Sequence, residues 1–279
     1  MPHVITPRRG LLDIDVKGLW RYRDLYWMYV HRDIVTRYKQ TILGPLWYVI
    51  QPVFTTVIYM FVFGGLAGIS TDGVPQPLFY LSGILLWNYF SECFGACSDV
   101  FGSNAGVFGK VYFPRLVVPL SAITSNLLKM LIQLLLFVAV YCYYKFFTPV
   151  GQLLSINLSL LSFPFLILLL GLFAMAMGLI FSSLTTKYRD LKFLIGFGIQ
   201  LLMYATPVIY PMSAAPEQYA NILRLNPLAP LFEAFRFSCL GCGSFEWGGL
   251  LYCTLFMLVT LFLSVVIFSR TERDFMDTV

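Results

Sequence analysis

Charge is scarce in this chain, since Asp, Glu, Lys and Arg make up only 12% of its residues, against about 25% in average soluble proteins. Hydrophobic residues account for 58% and aromatic residues for 17%. Several apolar runs reach the roughly 20 residues that a helix needs to cross a bilayer. These runs are continuous and do not alternate with polar residues, which favours helices over a β-barrel. The composition therefore predicts an all-α, polytopic membrane protein.

Side chains that carry chemistry are also few. Neither of the two histidines lies in an apolar run. Gly109-Lys110 resembles the end of a phosphate-binding loop, but Asn104 stands where such a loop begins with Gly, and Val111 where it ends with Ser or Thr. We therefore predict no catalytic residue, no metal site and no nucleotide site in this chain. The net charge of +5 reports membrane orientation, and we expect no nucleic-acid partner.

Cysteine is limited to six positions, and Cys239 and Cys242 form a CxxC on the predicted outer side. Because there is no second such pair, a zinc site is not expected. Either a disulfide in an oxidising periplasm or two buried thiols fits this spacing. The other four cysteines lie in or near apolar runs, where we expect them to serve packing.

Six spans account for the apolar runs, near residues 46–66, 78–101, 116–144, 156–183, 193–210 and 247–268. The first 18 residues contain no apolar core and no small-residue cleavage site, so we expect no cleaved signal peptide. The predicted outer segments hold Lys145, Arg224 and Arg236, while most other Lys and Arg precede the first span or lie in predicted inner loops. This asymmetry favours both termini in the cytoplasm.

The chain before the first span predicts a helix at the membrane surface. Residues 1–19 are expected to be a loosely ordered lead-in, and residues 20–43 an interfacial amphipathic helix. At helical spacing one stripe of this helix holds Trp20, Trp27, Val30, Ile34 and Tyr38. Such a helix suits a membrane surface, either as an ordinary anchor or with its arginines on an anionic headgroup or partner subunit. The six-span domain follows at 44–270, and a tail at 271–279.

Residues 102–115, the coupling element, lie between the second and third runs. Three glycines weaken a continuous helix here, and prolines at its end and just beyond each remove a backbone donor. The element carries two cations, Lys110 and Arg115. The pattern predicts a short broken element by which a water-soluble partner moves the membrane helices.

Polar residues inside the second and third runs are a further feature. Asn126, Lys129 and Gln133 share one helical face, and Glu92 lies in the preceding run. A lysine in mid-span is costly unless it is paired or hydrated. We expect Glu92 to pair with Lys129, either as a structural ion pair that fixes helix register or as part of translocation.

Two packing features complete the pattern. Small residues Gly171, Ala174, Gly178 and Ser182 follow nearly one stripe of the fourth run, which predicts close helix packing. Residues 211–246 are too apolar for a solvated loop, yet their runs are too short to span. Asn226-Pro227 interrupts them, so we expect short re-entrant helices before the last span.

Several strings, in this order, resemble ABC-2 type permeases that export polysaccharides. These strings are RYK at 37–39, LGPLW at 43–47, QP at 51–52, KVYFPR at 110–115, PL at 119–120, RDL at 189–191, LNPL at 225–228 and EAFR at 233–236. The resemblance implies the membrane half of an ATP-driven exporter in a bacterial cytoplasmic membrane. It also implies a homodimer with two copies of a separate ATPase, which binds ATP and Mg. The implied cargo is a lipid-linked glycan: O-antigen, capsular polysaccharide or teichoic acid.

The resemblance also assigns roles to residues. The residues expected to contact the ATPase are Lys110, Val111, Tyr112, Phe113, Pro114 and Arg115. At the entrance, the lipid headgroup is expected to be bound by Arg32, Arg37 and Lys39, because charge-assisted bonds to phosphate are strong. The outer exit is shaped by the segment that contains Asn226, Pro227, Glu233 and Arg236.

Aromatic rings offer a sugar chain a broad apolar surface without fixing its register. We therefore predict a translocation path along Tyr48, Tyr59, Phe63, Tyr80, Trp87, Phe90, Tyr204 and Tyr210. Alternatives stay open: an ABC-2 permease for teichoic acid, another lipid or a drug; an intramembrane glycosyl- or acyltransferase; and a scaffold subunit. A transferase would need paired acidic or histidine motifs at the membrane boundary, where only Glu92 and Asp99 are available.

Overall fold

Helices form all the regular structure in the part of the chain that is described here. The computed structural model describes residues 16–39, 41–111, 113–152, 154, 157–188 and 190–278, with the side chains except those of Val16, Lys17, Arg37, Tyr38, Val150, Gln152, Glu217 and 273–278. The expected lead-in lies mostly outside these residues. Within them no strand occurs, so the all-α prediction is confirmed.

The α-helices, in chain order, are α1 Val16–Arg21, α2 Arg23–Tyr38, α3 Trp47–Tyr59, α4 Gln76–Ser98, α5 Val100–Phe108, α6 Val117–Phe147, α7 Phe163–Lys187, α8 Leu191–Tyr204, α9 Glu217–Leu225, α10 Ala229–Leu240 and α11 Trp247–Thr278. Helical structure also precedes α7 from Leu158 and surrounds α3, which is preceded by a tight turn at Gly44–Leu46 and followed by a wider π-helix at Met60–Leu66. Gly44 has a positive φ of 48°, the backbone region that glycine adopts most easily. The expected break between the surface helix and the first span is therefore present.

Four segments of the described chain are long and apolar enough to cross a membrane: Gly44–Leu66, Val117–Phe147, Leu158–Lys187 and Trp247–Glu272. The other two expected spans correspond to α4, which has 23 residues, and α8, which has 14. At 1.5 Å per residue, α8 covers only about 21 Å of a bilayer core of about 30 Å. The count of six spans thus stays a prediction.

Close packing of α4 against α7 forms the centre of the bundle. A methyl group added at Gly178 would meet Cys97, and one at Gly171 would meet Tyr89. Ala174 and Ser182 on the same stripe are fully buried. The predicted seam of small residues is therefore confirmed, and α6 and α11 pack on its two sides.

The bundle has two distinct ends. At the α5 end, rings from α2, α5 and α11 join one apolar cluster that contains Tyr29, Phe101, Phe108, Phe113 and Phe268. At the α10 end, Arg236 of α10 bonds to the segment that follows α8, and Ser213, just before α9, bonds to Asp72 between α3 and α4.

Two boundaries differ from the sequence-based expectation. Gly102 and Gly106 lie inside α5, because neighbours on α7 and α11 bury this short helix and outweigh the intrinsic cost of glycine. The expected tail is also helical, since α11 continues to Thr278.

Candidate functional site

The coupling element divides into an exposed tip and a buried base. Lys110 is exposed, and Val111 is 56% exposed. Phe113 is only 4% exposed, and its ring lies 5.6 Å from that of Phe108 and 6.0 Å from that of Tyr29. Tyr112 lies outside the described residues. In this conformation Phe113 therefore cannot reach a partner protein, contrary to the contact expected for it.

Arg115 is also turned inward and is 4% exposed. Its Nη1 donates to the main-chain carbonyl of Glu272 on α11 at 2.9 Å, and its Nε lies 3.8 Å from Glu272 Oε1. A direct contact of Arg115 with an ATPase surface is thus at odds with its burial. Pro114, between these two buried side chains, is half-buried.

A second ion pair links the start of the coupling element to α8. Lys192 Nζ lies 2.5 Å from Asp99 Oδ1, at the junction of α4 and α5. Nothing in the sequence pointed to this pair beyond two opposite charges at predicted inner boundaries. The pair holds the first turn of α8 against the helix that the coupling element extends.

The surface helix α2 packs on α6. Tyr26 and Thr124 share a hydrogen bond of 2.5 Å between their hydroxyls. Tyr29 and Val30 are buried, whereas Trp20 and Trp27 are exposed, so the expected apolar stripe is split between the bundle and its surroundings. Burial raises the pKa of the Tyr29 phenol above its ordinary value.

The predicted headgroup residues differ in availability. Arg32 lies over the Tyr29 ring at 4.3 Å, and its Nη2 donates to Asp33 Oδ1 at 2.8 Å. This carboxylate neutralises part of the charge that was expected to meet a phosphate. Lys39 is exposed, and the side chain of Arg37 lies outside those described.

Glu92 and Lys129 form the expected pair. Lys129 Nζ donates to Glu92 Oε2, and the same ammonium lies 5.1 Å from the centre of the Tyr48 ring. Asn126 and Gln133 are buried on the same face of α6. The polar face of α6 thus points into the bundle, toward α4 and the start of α3.

Burial separates the eight predicted path aromatics into two groups. Tyr80, Trp87 and Phe90 on α4 are buried in the core, where Phe90 stacks on Phe173 of α7. These three rings cannot line a path in this conformation, because α4 forms the centre of the bundle. The other five are half-buried or exposed: Tyr48, Tyr59, Phe63, Tyr204 and Tyr210.

Helices α3 and α8 both expose polar residues, and their exposed sides together are called the α3–α8 face. The two helices meet where Tyr59 OH lies 3.8 Å from Met203 Sδ. Gln51 on α3 and Gln200 on α8 are both exposed. A glutamine side chain is costly in hydrocarbon, so this face is better suited to water, sugar hydroxyls or a second protein than to lipid.

Arg236 organises the α10 end. Its guanidinium is 1% exposed, donates to the carbonyls of Pro207 at 2.7 Å and Val208 at 2.6 Å, and lies 3.9 Å from the Phe79 ring centre. These bonds satisfy carbonyls of the irregular segment that follows α8. Glu233 lies 3.8 Å from Arg236 Nη1 and accepts from the backbone N–H of Ser244 at 3.3 Å.

Asn226 makes a similar link between α9 and the end of α8. Its Nδ2 donates to the Ala205 carbonyl and to Thr206 Oγ1, both at 2.9 Å. Its Oδ1 accepts from the N–H of Leu228, just beyond Pro227. The predicted outer residues thus tie α9 and α10 to one irregular segment, residues 205–210.

Metal ligands and disulfides are not assembled in the described chain. Within it no group of His, Cys, Asp and Glu has a geometry that could hold a metal ion. Cys239 and Cys242 are both buried and unbonded, which is one of the two states that their spacing allows. The arrangement as a whole offers contacts and ion pairs between helices.

Comparison with known proteins gives one consistent result. A family model described as ABC-2 type transporter matches residues 24–240. The O-antigen export system permease protein RfbA of Klebsiella pneumoniae is 28% identical over 256 residues, which cover 91% of this chain and 94% of that protein. The protein of the same name from Myxococcus xanthus is 28% identical over 224 residues, 79% of this chain and 82% of its own length.

The polysialic acid transport protein KpsM of Escherichia coli is also similar. It is 26% identical over 248 residues, which cover 88% of this chain and 93% of that protein. The matched region includes the coupling element, the α3–α8 face and α10. Of the helices described above, only α1 and α11 lie wholly outside the family match.

Proposed function

Since this chain belongs to the ABC-2 type transporter family, we propose that it is the membrane-spanning subunit of an ATP-driven exporter of a lipid-linked polysaccharide. The observation that carries the proposal is its similarity, over most of its length, to proteins named for O-antigen export and polysialic acid transport. Among these cargoes O-antigen has the stronger support, because its permeases share the higher identity with this chain.

The α3–α8 face is the part of the molecule that suits such a cargo. It combines exposed or half-buried rings, among them Tyr59, Phe63 and Tyr204, with exposed Gln51 and Gln200. Rings can pack on the C–H faces of sugars, and amides can bond to their hydroxyls. We infer that two copies of the chain enclose a path between their α3–α8 faces.

The energy source lies in another protein. We propose that the chain works as a homodimer with two ATPase subunits, which bind ATP and Mg. The ATPase contacts Lys110 and Val111 at the exposed tip of the coupling element, and we expect the neighbouring Tyr112 to take part in this contact. Closure of the ATPase dimer pushes on this tip and, through α4, α6 and the Asp99–Lys192 pair, shifts α8.

The orientation follows from the same assignment. The α5 end faces the cytoplasm together with both termini, and the chain crosses the bacterial cytoplasmic membrane six times. Helices α9 and α10 re-enter from the outside and shape the exit. On the inner side α2 lies along the membrane surface, with Arg32, Arg37 and Lys39 available to the phosphates of the lipid anchor.

An intramembrane transferase is the main alternative from another class. Its acid–base chemistry would fall to Glu92 and Asp99, yet each of these carboxylates pairs with a lysine. A carboxylate that is already engaged with a lysine is not positioned to exchange a proton with a substrate. The geometry therefore favours the exporter.

Reconstitution tests the proposal. The chain is co-expressed with a candidate partner ATPase, the complex is placed in vesicles, and movement of a fluorescent lipid-linked glycan is measured with ATP. Export is expected with ATP, and none with a non-hydrolysable analogue or with the chain alone. Uphill export by the chain alone would contradict the proposal, and transport of the lipid without its glycan would point to a lipid or drug permease.

A further inference from the structure

We propose that Arg115 makes the last helix, α11, move together with the coupling element. Force from the ATPase would then reach the bundle directly through α11 as well as through α4 and α6. Arg115 is in this view a positioning residue that acts inside the permease, in place of the ATPase contact expected for it. The proposal rests on the proposed function, because it needs an ATP-driven motion of the coupling element.

The first observation is the bond between Arg115 and the backbone of α11. Nη1 donates to the main-chain carbonyl of Glu272 at 2.9 Å, and Nε lies 3.8 Å from the carboxylate of the same residue. A guanidinium that is 4% exposed is stable only while its partners remain in place. Moving Arg115 away from α11 would strand a buried charge, so the two are expected to move as one.

The second observation is a stack of rings beside this bond. The guanidinium carbon lies 5.1 Å from the Phe108 ring centre and 5.8 Å from that of Phe101, both on α5. Phe101 in turn stacks on Phe268 of α11, with ring centres 4.7 Å apart and planes inclined by 28°. Two contacts on α11, one helical turn apart at residues 268 and 272, thus hold α11 to α5 and to the coupling element.

The third observation concerns the alternative route for force. Outside this region α11 packs chiefly along α7, which the α5 helix also contacts. Without Arg115, the part of α11 beyond the Phe101–Phe268 contact would no longer be tied to the coupling element by the bond at Glu272. Loss of the guanidinium should therefore uncouple α11 selectively and leave the coupling element able to respond.

Hydrogen–deuterium exchange on the complete complex with its ATPase tests this. In the wild type, a non-hydrolysable ATP analogue should change exchange in residues 100–116 and in residues 266–278. In Arg115→Gln the change in 100–116 should persist, and the change in 266–278 should be lost. Export should fall by about tenfold with little change in ATP hydrolysis, within the range of coupling effects of single residues.

Glu272→Gln is the matched control, because it keeps the main-chain carbonyl that accepts from Arg115. It should retain the response of α11 and lose less than half of the export. If Arg115→Gln fails to assemble, Arg115→Lys, which keeps the charge but can reach only one acceptor, should show a weakened change in 266–278 with the change in 100–116 retained.

Three outcomes would overturn the proposal: an unchanged response of 266–278 in both Arg115 variants, equal loss of response in both segments, or failure of both variants to assemble. The exchange readout needs only nucleotide-driven motion. A wild-type complex whose two segments respond but which exports no glycan would contradict the proposed cargo and leave the role of Arg115 supported.

Discussion

Arg236 is the largest fully buried side chain in the described part of the molecule, and its charge has exchanged all hydration for protein contacts. Its bonds run to main-chain carbonyls of an irregular segment. The sequence could place Arg236 near the outer boundary, but it could not identify these partners, because they lie 28 and 29 residues away on a segment with no regular structure. What the sequence did indicate was a family motif at 233–236.

Arg236→Gln tests the energetic role of this residue. Glutamine cannot reach both carbonyls, so the variant leaves buried acceptors unpaired, at a cost of about 3–5 kcal/mol. We expect the melting temperature of the purified protein in detergent to fall by about 5–10 °C. Glu233→Gln, which keeps a side-chain acceptor for Ser244, should shift it by less than half as much. Equal shifts would mean that the ion pair, and not the carbonyl bonds, holds this end.

The Glu92–Lys129 pair allows a double-mutant test. Lys129→Leu leaves Glu92 without its ammonium partner inside the bundle, so we expect the yield of folded protein to drop several-fold. Adding Glu92→Leu removes the stranded charge and should restore most of that yield.

Lys187→Leu, at an exposed lysine, is the control and should leave the amount of folded protein unchanged. The yields are measured by fluorescence-detected gel filtration. Normal folding of Lys129→Leu with failed export would instead assign the pair to translocation.

Among the helices, the sequence predicted what hydrophobic pattern and breakers determine: the apolar helices, the break at Gly44, the small-residue seam and short helices between 211 and 246. It missed features set by tertiary contacts. The first part of the coupling element, to Phe108, is helical despite Gly102 and Gly106, since burial of one face of α5 outweighs intrinsic propensity. Aromatic residues carry no sequence mark that separates core from lining, and Tyr80, Trp87 and Phe90, which were predicted on a path, are buried in the core in this conformation.

Replacing glycine by alanine should have opposite effects on stability in the α4–α7 seam and on α8. The new methyl of Gly178→Ala would press on Cys97, so we expect a loss of about 1–3 kcal/mol. Gly196→Ala on α8 meets nothing within 4 Å and should stabilise its helix by about 0.5–1 kcal/mol. Thermal unfolding of both variants in one detergent checks this, and a destabilised Gly196→Ala would show that α8 packs more tightly than described.

For the whole molecule, the distribution of polar residues decides which side of the bundle faces water. Helices α6 and α11 expose mostly Leu, Val and Phe, as lipid contact requires. Helices α3 and α8 expose glutamines among their rings, and both helices are only lightly covered by the rest of the chain. The same face is the natural contact for a second copy, because enclosing it would shelter those glutamines from lipid.

Thiol labelling of the assembled transporter distinguishes the two sides. In a background with exposed Cys142 replaced by Ser, the other five cysteines are buried. Maleimide reacts with thiolate, which forms in water and not in hydrocarbon. A water-soluble maleimide should therefore label Gln51→Cys and Gln200→Cys several-fold faster than Leu135→Cys, although Leu135 is 70% exposed on α6. Glycan trapped in the complex should slow the labelling of the first two. Equal rates at all three positions would show that the α3–α8 face contacts lipid and would contradict the proposal that it lines the path.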